Sequence, residues 1–148
     1  MLFLGASPVR LVVENWDMDV MIQLVKTAGD ICARENLPFS FVTEDTTRSN
    51  PSTLDKLFRA AIDCGASRFI ICDTTGHSTP DGLFNLLTFT RNLLATCGAE
   101  HVQLDWHGHN DRGLALTLAH WNLGSTGYME RVWLLVNGLE IHKSICYC

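Results

Sequence analysis

Residues 102–113 read VQLDWHGHNDRG, a short apolar run that passes directly into a cluster of polar residues. The same order occurs three times earlier, in LFLGAS at residues 2–7, FSFVTEDTTR at 39–48 and RFIICDTTGH at 68–77. Short apolar runs bounded by turn-forming residues are typical of β-strands that are buried on both faces. We therefore predict four strands, at Leu2–Leu4, Phe39–Val42, Arg68–Cys72 and Val102–Trp106.

Stretches with helical periodicity fill the gaps between these runs. The first, at about residues 19–35, carries apolar residues at core-facing spacing. Asn50-Pro51 and Thr79-Pro80 each combine an N-cap residue with proline at the first helical position. Gly65 and Gly98 follow two of these stretches as typical C-terminal caps. The pattern predicts a repeated strand-helix unit.

The spacing of the units predicts the fold. Strands buried on both faces and joined by helices form a parallel sheet, because the crossover helices cover it. The predicted strand starts, near residues 3, 39, 69 and 102, lie 36, 30 and 33 residues apart. Eight such units would make the roughly 250 residues of a TIM barrel. We therefore predict an α/β fold, a partial (β/α)8 TIM barrel of about four parallel strand-helix units. An open, doubly wound four-stranded sheet is the alternative.

Composition and charge exclude several classes of function. The 148 residues are 47% hydrophobic and 18% charged, as in a globular protein. The net charge of -5, without any run of Lys or Arg, argues against nucleic acid as a partner. No apolar run approaches the roughly 20 residues of a membrane helix. Six cysteines without a C-x-x-C pair are typical of a reduced, cytoplasmic setting, which is the localisation we expect.

Each polar cluster follows a predicted strand, and parallel α/β folds bind their ligands at that carboxyl edge. His107 and His109 are the sharpest candidates, because residues two apart at a strand end project to the same side. Both imidazoles can then bind one ion, with Gly108 leaving the backbone room to turn. A mixed nitrogen and oxygen site suits Mg, Mn or Zn. The alternative is a pair of loop histidines that are hydrogen-bonded to the backbone.

The acidic residues Glu44 and Asp45 project to opposite sides of their strand, so at most one of them faces the barrel axis. The other is expected to pair with Arg48 or to cap the next helix. By the same reasoning, the side chain of Thr74 either contacts a ligand or stabilises the loop in which it lies. Cys72, at a strand end, is expected to be a buried thiol.

Three stretches, taken in order, resemble a known family. They are FVTEDTTR at residues 41–48, DTTGHSTP at 73–80 and HGHNDRGL at 107–114. Together they resemble the 2-isopropylmalate synthase and homocitrate synthase group of metal-dependent TIM barrels, over about residues 3–123. The same superfamily includes citramalate synthase and related lyases and aldolases.

The resemblance implies a Claisen condensation of acetyl-CoA with a 2-oxo acid, 2-oxoisovalerate being favoured, in leucine biosynthesis. It implies a divalent metal, with Mg or Mn favoured over Zn, and full-length relatives that are homodimeric. It makes His107 and His109 metal ligands, and it puts Glu44 and Thr74 at catalytic positions that contact the keto acid or order the site. We expect Glu44 and the two imidazoles to face one shared cation. No general base is assigned.

The chain departs from the family pattern at both ends. It has no Arg-Asp-Gly-Glu motif with a metal-binding Asp, Val42 replaces the family serine, and the final Gly-Glu-Arg-x-Gly-Asn motif is missing. We therefore divide the chain into a partial TIM-barrel catalytic domain at residues 1–124 and a tail at 125–148 that is out of frame or disordered. A permitted codon choice for residues 124–142, read two nucleotides later, encodes IDRIHGTCLAIGERVGNT, which is close to the family's last strand.

These departures predict that the chain is incomplete and inactive by itself. The alternatives within enzymes are a homocitrate or citramalate synthase, or a related aldolase or lyase. The alternative outside enzymes is a non-catalytic barrel fragment that completes its barrel with another chain, because exposed strand edges would need a partner.

Overall fold

Helices connect successive strands along the first 109 residues, two of them between the first strand and the second. The structure, a computed structural model, describes residues 1–115, 117, 131–136 and 139–143. Its strands are β1 (Leu2–Gly5), β2 (Phe39–Glu44), β3 (Ala66–Asp73), β4 (Gln103–His109), β5 (Arg131–Val136) and β6 (Leu139–Lys143). Its α-helices are α1 (Pro8–Glu14), α2 (Met18–Arg34), α3 (Pro51–Asp63) and α4 (Pro80–Thr96). A short 3-10 turn at Thr46–Arg48 follows β2.

The described strands form one sheet in the order β1-β2-β3-β4-β5-β6. Neighbouring strands are parallel from β1 to β5, and β6 is antiparallel to β5. Parallel strands that stay in chain order are the arrangement of a (β/α)8 barrel, whereas a doubly wound sheet reverses its order at a switch point. The prediction of a partial TIM barrel is therefore confirmed.

The strands β5 and β6 lie within the tail that begins at residue 125. β5 continues the sheet, pairing with β4 from Asp105↔Arg131 to His109↔Leu135. The rest of residues 125–148 lies outside the described residues. That this tail is read out of frame stays a prediction.

One face of the sheet packs against the helices. Phe41 of β2 and Phe69 of β3 have ring centroids 6.0 Å apart, and Phe58 of α3 stacks on Phe69 at 4.7 Å. We call the face that packs against the helices the outer face. Two residues further along the strands, the register aligns a row of residues on this outer face. That row is fully or almost fully buried and comprises Leu4, Thr43, Ile71 and Trp106.

The predicted helix boundaries are confirmed by the caps. The side chain of Asn50 accepts a hydrogen bond from the Ser52 N–H, and that of Thr79 accepts one from the Gly82 N–H. Gly65 follows α3 with a φ of 78°, the left-handed conformation that glycine adopts at little cost. None of the helices in the described ranges is long and apolar enough to span a bilayer.

Two features differ from the sequence prediction. The helix α1 was not predicted, because its seven residues are too few to show a helical period. The strands also run further than predicted into the polar clusters: β2 ends at Glu44 and β4 at His109. The candidate site residues Glu44, His107 and His109 are therefore strand residues with a fixed orientation.

Candidate functional site

Three of the predicted site residues lie on the inner face of the sheet at its carboxyl edge. The register pairs Gly5 with Glu44 and Cys72 with His107, one residue past the buried row that faces the helices. Because side chains alternate along a strand, this next row projects to the opposite, inner face. His109 lies two residues beyond His107 in β4 and projects to that face as well.

The structure brings the two histidines together. The centroids of the His107 and His109 rings lie 5.5 Å apart, with 79° between the ring planes. His109 Nδ1 also lies 3.8 Å from Asp111 Oδ2. A single strand thus offers two imidazoles to a common ligand.

Gly108 serves a different purpose from the predicted one. It lies inside β4, paired with Asp73 of β3, and makes no turn. A Cβ at this position would lie 2.6 Å from Trp106 Nε1. The buried indole of Trp106 lies on the outer face beside Gly108. The missing side chain of Gly108 therefore leaves the space that this indole needs next to β4.

The Glu44 carboxylate is held by Arg10 of α1. Arg10 Nε lies 3.2 Å from Glu44 Oε2, an ion pair rather than a well-aligned hydrogen bond. Arg10 Nη1 lies 3.5 Å from Glu14 Oε1, one helical turn further on. Gly5 permits this approach, because a Cβ there would lie 2.3 Å from Arg10 Cγ and 2.7 Å from Glu44 Oε2.

Asp45 pairs with Arg48, as the alternation of side chains predicts. Arg48 Nη2 donates to Asp45 Oδ2 at 2.6 Å, and Arg48 Nε donates to Oδ1 at 2.8 Å. Burial raises the pKa of the Asp45 carboxyl, but hydrogen bonds from Arg48 and Ser7 outweigh it and hold that pKa below its ordinary value. The Asp45 N–H donates to Thr74 Oγ1 at 2.8 Å, which joins the ends of β2 and β3.

These groups line a half-open cavity of about 170 Å³, which we call the α1 cavity. The residues that line it include Glu44 and Thr74, and also Val9, Arg10 and Val13 of α1. Sequence reasoning missed the three α1 residues. A signal was present, since Arg10 is the one basic residue in the apolar run PVRLVV at residues 8–13.

Cys72 is a buried thiol, as expected, and lies on the inner face beside His107. Burial raises the pKa of its thiol to about 12, and the negative charges of Glu44 and Asp45 add to this effect. Such a thiol stays protonated at neutral pH and is a poor nucleophile.

The described residues offer a metal ion two ligands rather than a full set. Within the ranges that the structure describes, no group of three or more His, Cys, Asp or Glu side chains could hold a metal ion together. The expectation that Glu44 joins the imidazoles at one shared cation is therefore not met, and Glu44 pairs with Arg10 instead. His107 and His109 fit a metal as two nitrogen donors that need further ligands.

A second cavity, of about 390 Å³, lies between the first turn of α3 and the N-terminal half of α4. His77, Asn85 and Phe89 are among the residues that line it. The buried Asp73 carboxylate holds two of its lining residues in place by accepting hydrogen bonds from the His77 and Ser78 N–H groups at 3.2 and 3.1 Å. Asp73 thus holds the loop, while its neighbour Thr74 lines the α1 cavity.

Comparisons with known sequences give the family context. The profile of the HMGL-like family matches residues 5–138. Homocitrate synthase AksA of Methanocaldococcus jannaschii is 31% identical over 140 residues, which are 93% of this chain and 32% of that protein. A 2-isopropylmalate synthase of Sediminispirochaeta smaragdinae is 37% identical over 108 residues, 72% of this chain and 21% of that protein. The chain thus spans at most about a third of these relatives.

Solved structures share the fold. The HMG-CoA lyase from Brucella melitensis superposes with a TM-score of 0.70 at 18% identity, over 96% of this chain and 53% of that one. The hydroxymethylglutaryl-CoA lyase from Pseudomonas aeruginosa gives 0.68 at 16% identity, over 82% of this chain and 41% of that one. At such identities the likeness concerns the fold, and it supports the partial barrel.

Proposed function

Because the chain belongs to the HMGL-like family, we propose that it carries part of the active site of a 2-isopropylmalate synthase-like acyltransferase. The proposed reaction is the Claisen condensation of acetyl-CoA with a 2-oxo acid, 2-oxoisovalerate being favoured, as in leucine biosynthesis. The homocitrate and 2-isopropylmalate synthases among its relatives support this class of reaction. We further propose a cytoplasmic protein whose partners are these small molecules and whose full-length form is a homodimer.

The observation that carries the proposal is the pair of imidazoles on the inner face of β4. We assign His107 and His109 to a divalent metal, with Mg or Mn favoured over Zn. Such an ion, when bound, polarises a carbonyl and stabilises negative charge that develops on its oxygen.

The roles proposed for Glu44 and Thr74 rest on their hydrogen-bonding capacity. Thr74 Oγ1 accepts the Asp45 N–H, so its hydroxyl proton can be donated to a carbonyl or carboxylate oxygen in the α1 cavity. Glu44 keeps a carboxylate at the same cavity while Arg10 balances its charge. Thr74 can therefore orient a 2-oxo acid, and Glu44, which only accepts hydrogen bonds, orders the site through Arg10.

Binding of Mn²⁺ to the whole chain, followed by electron paramagnetic resonance, tests the metal assignment. We expect His107→Ala and His109→Ala each to weaken Mn²⁺ binding at least tenfold, because each removes one of two nitrogen donors. His101→Ala is the matched control, since His101 is exposed and precedes β4 at its opposite end. Equal losses in all three variants, or no Mn²⁺ binding by the unaltered chain, would contradict the proposal.

Turnover separates the chemical alternatives. With acetyl-CoA and 2-oxoisovalerate, we expect the chain alone to release no coenzyme A, because it covers only about a third of its relatives. Cleavage of a hydroxy acid without acetyl-CoA would favour the lyase or aldolase alternative.

A further inference from the structure

The helix α1 presents apolar side chains without burying any of its residues. Val9, Val12 and Val13 are 62%, 82% and 70% exposed. Within the part of the chain that the structure describes, core packing therefore does not account for three valines in seven residues, and β-branched residues do not favour a short helix by themselves. Clustered exposed apolar side chains are commonly a contact surface.

Two of the three valines line the α1 cavity. Val9 and Val13 are four residues apart, which puts them on the same side of the helix. They line the cavity together with Glu44 and Thr74, whereas Val12 is not among the described residues that line it. The α1 side of the cavity thus carries two valines beside Arg10, and its strand side is polar.

Arg10 links this wall to the end of the sheet. It lies between the two valines in sequence and is paired with Glu44 of β2 and with Glu14 of α1 itself. These ion pairs connect a helix that lacks buried residues to the end of the sheet. A change at Arg10 therefore frees the Glu44 carboxylate, whereas Leu11, which packs against the core, still holds α1 in place.

The size and polarity of the cavity define a ligand class. Its volume of about 170 Å³ is below the roughly 300–1,000 Å³ of pockets that hold drug-sized molecules. This suits a molecule of a few carbon atoms. An oxygen-rich head would contact Thr74 and the charged pair, and a short branched aliphatic tail would contact Val9 and Val13.

We infer that α1 is the element that selects the side chain of the 2-oxo acid, with Val9 and Val13 as its specificity-determining contacts. This inference rests on the proposed function, because that function supplies the acid. Arg10, which lines the cavity and pairs with Glu44, contacts the oxygen-rich head of every acid alike.

Calorimetric titration of the whole chain, in the presence of Mn²⁺, with pyruvate, 2-oxobutanoate and 2-oxoisovalerate tests the inference. We expect Val9→Ala and Val13→Ala each to weaken 2-oxoisovalerate binding by roughly 3- to 10-fold, because methyl groups that cover the tail are lost from an open wall. Pyruvate, whose tail is a single methyl group, should change less than twofold. Arg10→Met should weaken all three acids by similar factors.

Val12→Ala is the matched control, because it makes the same truncation on the same helix outside the cavity. It should leave all three affinities unchanged. Since all three valines are exposed, each variant should keep the melting temperature of the unaltered chain. An unchanged melting temperature then shows that a variant is folded. If the unaltered chain binds the acids but Val9→Ala and Val13→Ala behave like Val12→Ala, or weaken all acids equally, the inference fails alone. If the unaltered chain binds none of them, the proposed function fails and the inference fails with it.

Discussion

Replacement of Arg68 by methionine tests the ion pair on the inner face of the sheet, below the candidate site. Arg68 Nη1 donates to Asp105 Oδ1 at 2.6 Å, and Arg68 Nη2 donates to Gln103 Oε1. The side chain of Arg68 is 17% exposed and that of Asp105 only 1%. The Arg68 guanidinium is thus a charge partner of an almost fully buried carboxylate. A buried carboxylate without a partner is costly.

The expected loss follows from that burial. Removing one partner of a buried ion pair costs about 3–5 kcal/mol, because the other charge is left uncompensated. At about 2–4 °C of melting temperature per kcal/mol for a chain of this size, Arg68→Met should lower the melting temperature by roughly 6–20 °C. Urea unfolding measured by circular dichroism gives the free energy directly.

Two further variants isolate the cause. The double variant Arg68→Met with Asp105→Leu should recover most of the lost unfolding free energy, because it also removes the carboxylate that Arg68→Met leaves unpaired with Arg68. Arg59→Met should leave the unfolding midpoint unchanged, since the Arg59–Asp55 pair is exposed on α3. A loss below about 1 kcal/mol for Arg68→Met, or no recovery in the double variant, would refute the reasoning.

Three other predictions follow from the site. Gly108→Ala should lower the free energy of unfolding by about 1–3 kcal/mol, because its Cβ would lie 2.6 Å from Trp106 Nε1, and urea unfolding measures the change. Folding lowers the pKa of the Asp45 carboxyl, so the ionised carboxylate stabilises the folded chain at neutral pH. This contribution is lost as the pH falls below the ordinary aspartate pKa of about 4. Asp45→Asn should therefore destabilise the chain at pH 7 and reduce the dependence of unfolding on pH between about 5 and 3, whereas an unchanged pH profile would contradict the pairing with Arg48. Sequencing of the coding DNA should show that codons 124–142, read two nucleotides later, encode the family's last strand, and an uninterrupted frame whose codons cannot do so would reject this proposal.

The sequence predicts the fold well because the fold repeats. Each apolar run is followed by a polar cluster, and Asn50 and Thr79 mark helix starts that the structure confirms by hydrogen bonds. The ends of the strands were less predictable, because polar residues such as Glu44 and His107 read as loop although they continue the ladder. The sequence also could not show that Arg10 meets Glu44, since this contact depends on a helix too short to have a period and on the missing side chain of Gly5.

The extension of β4 to His109 gives the two histidines the fixed orientation that a candidate site requires. Had the strand ended at Trp106, His107 and His109 would have been loop residues without a common direction. Because the ladder with β3 continues through Cys72↔His107 to Asp73↔Gly108, both rings project to the inner face, and Trp106 holds the outer face between them. The same alternation of side chains places Glu44 on the inner face and Trp106 on the outer face, against the helices. A one-residue slip of β4 would bury both histidines against α-helices and expose the tryptophan, so the packing of Trp106 also fixes the orientation of the two imidazoles.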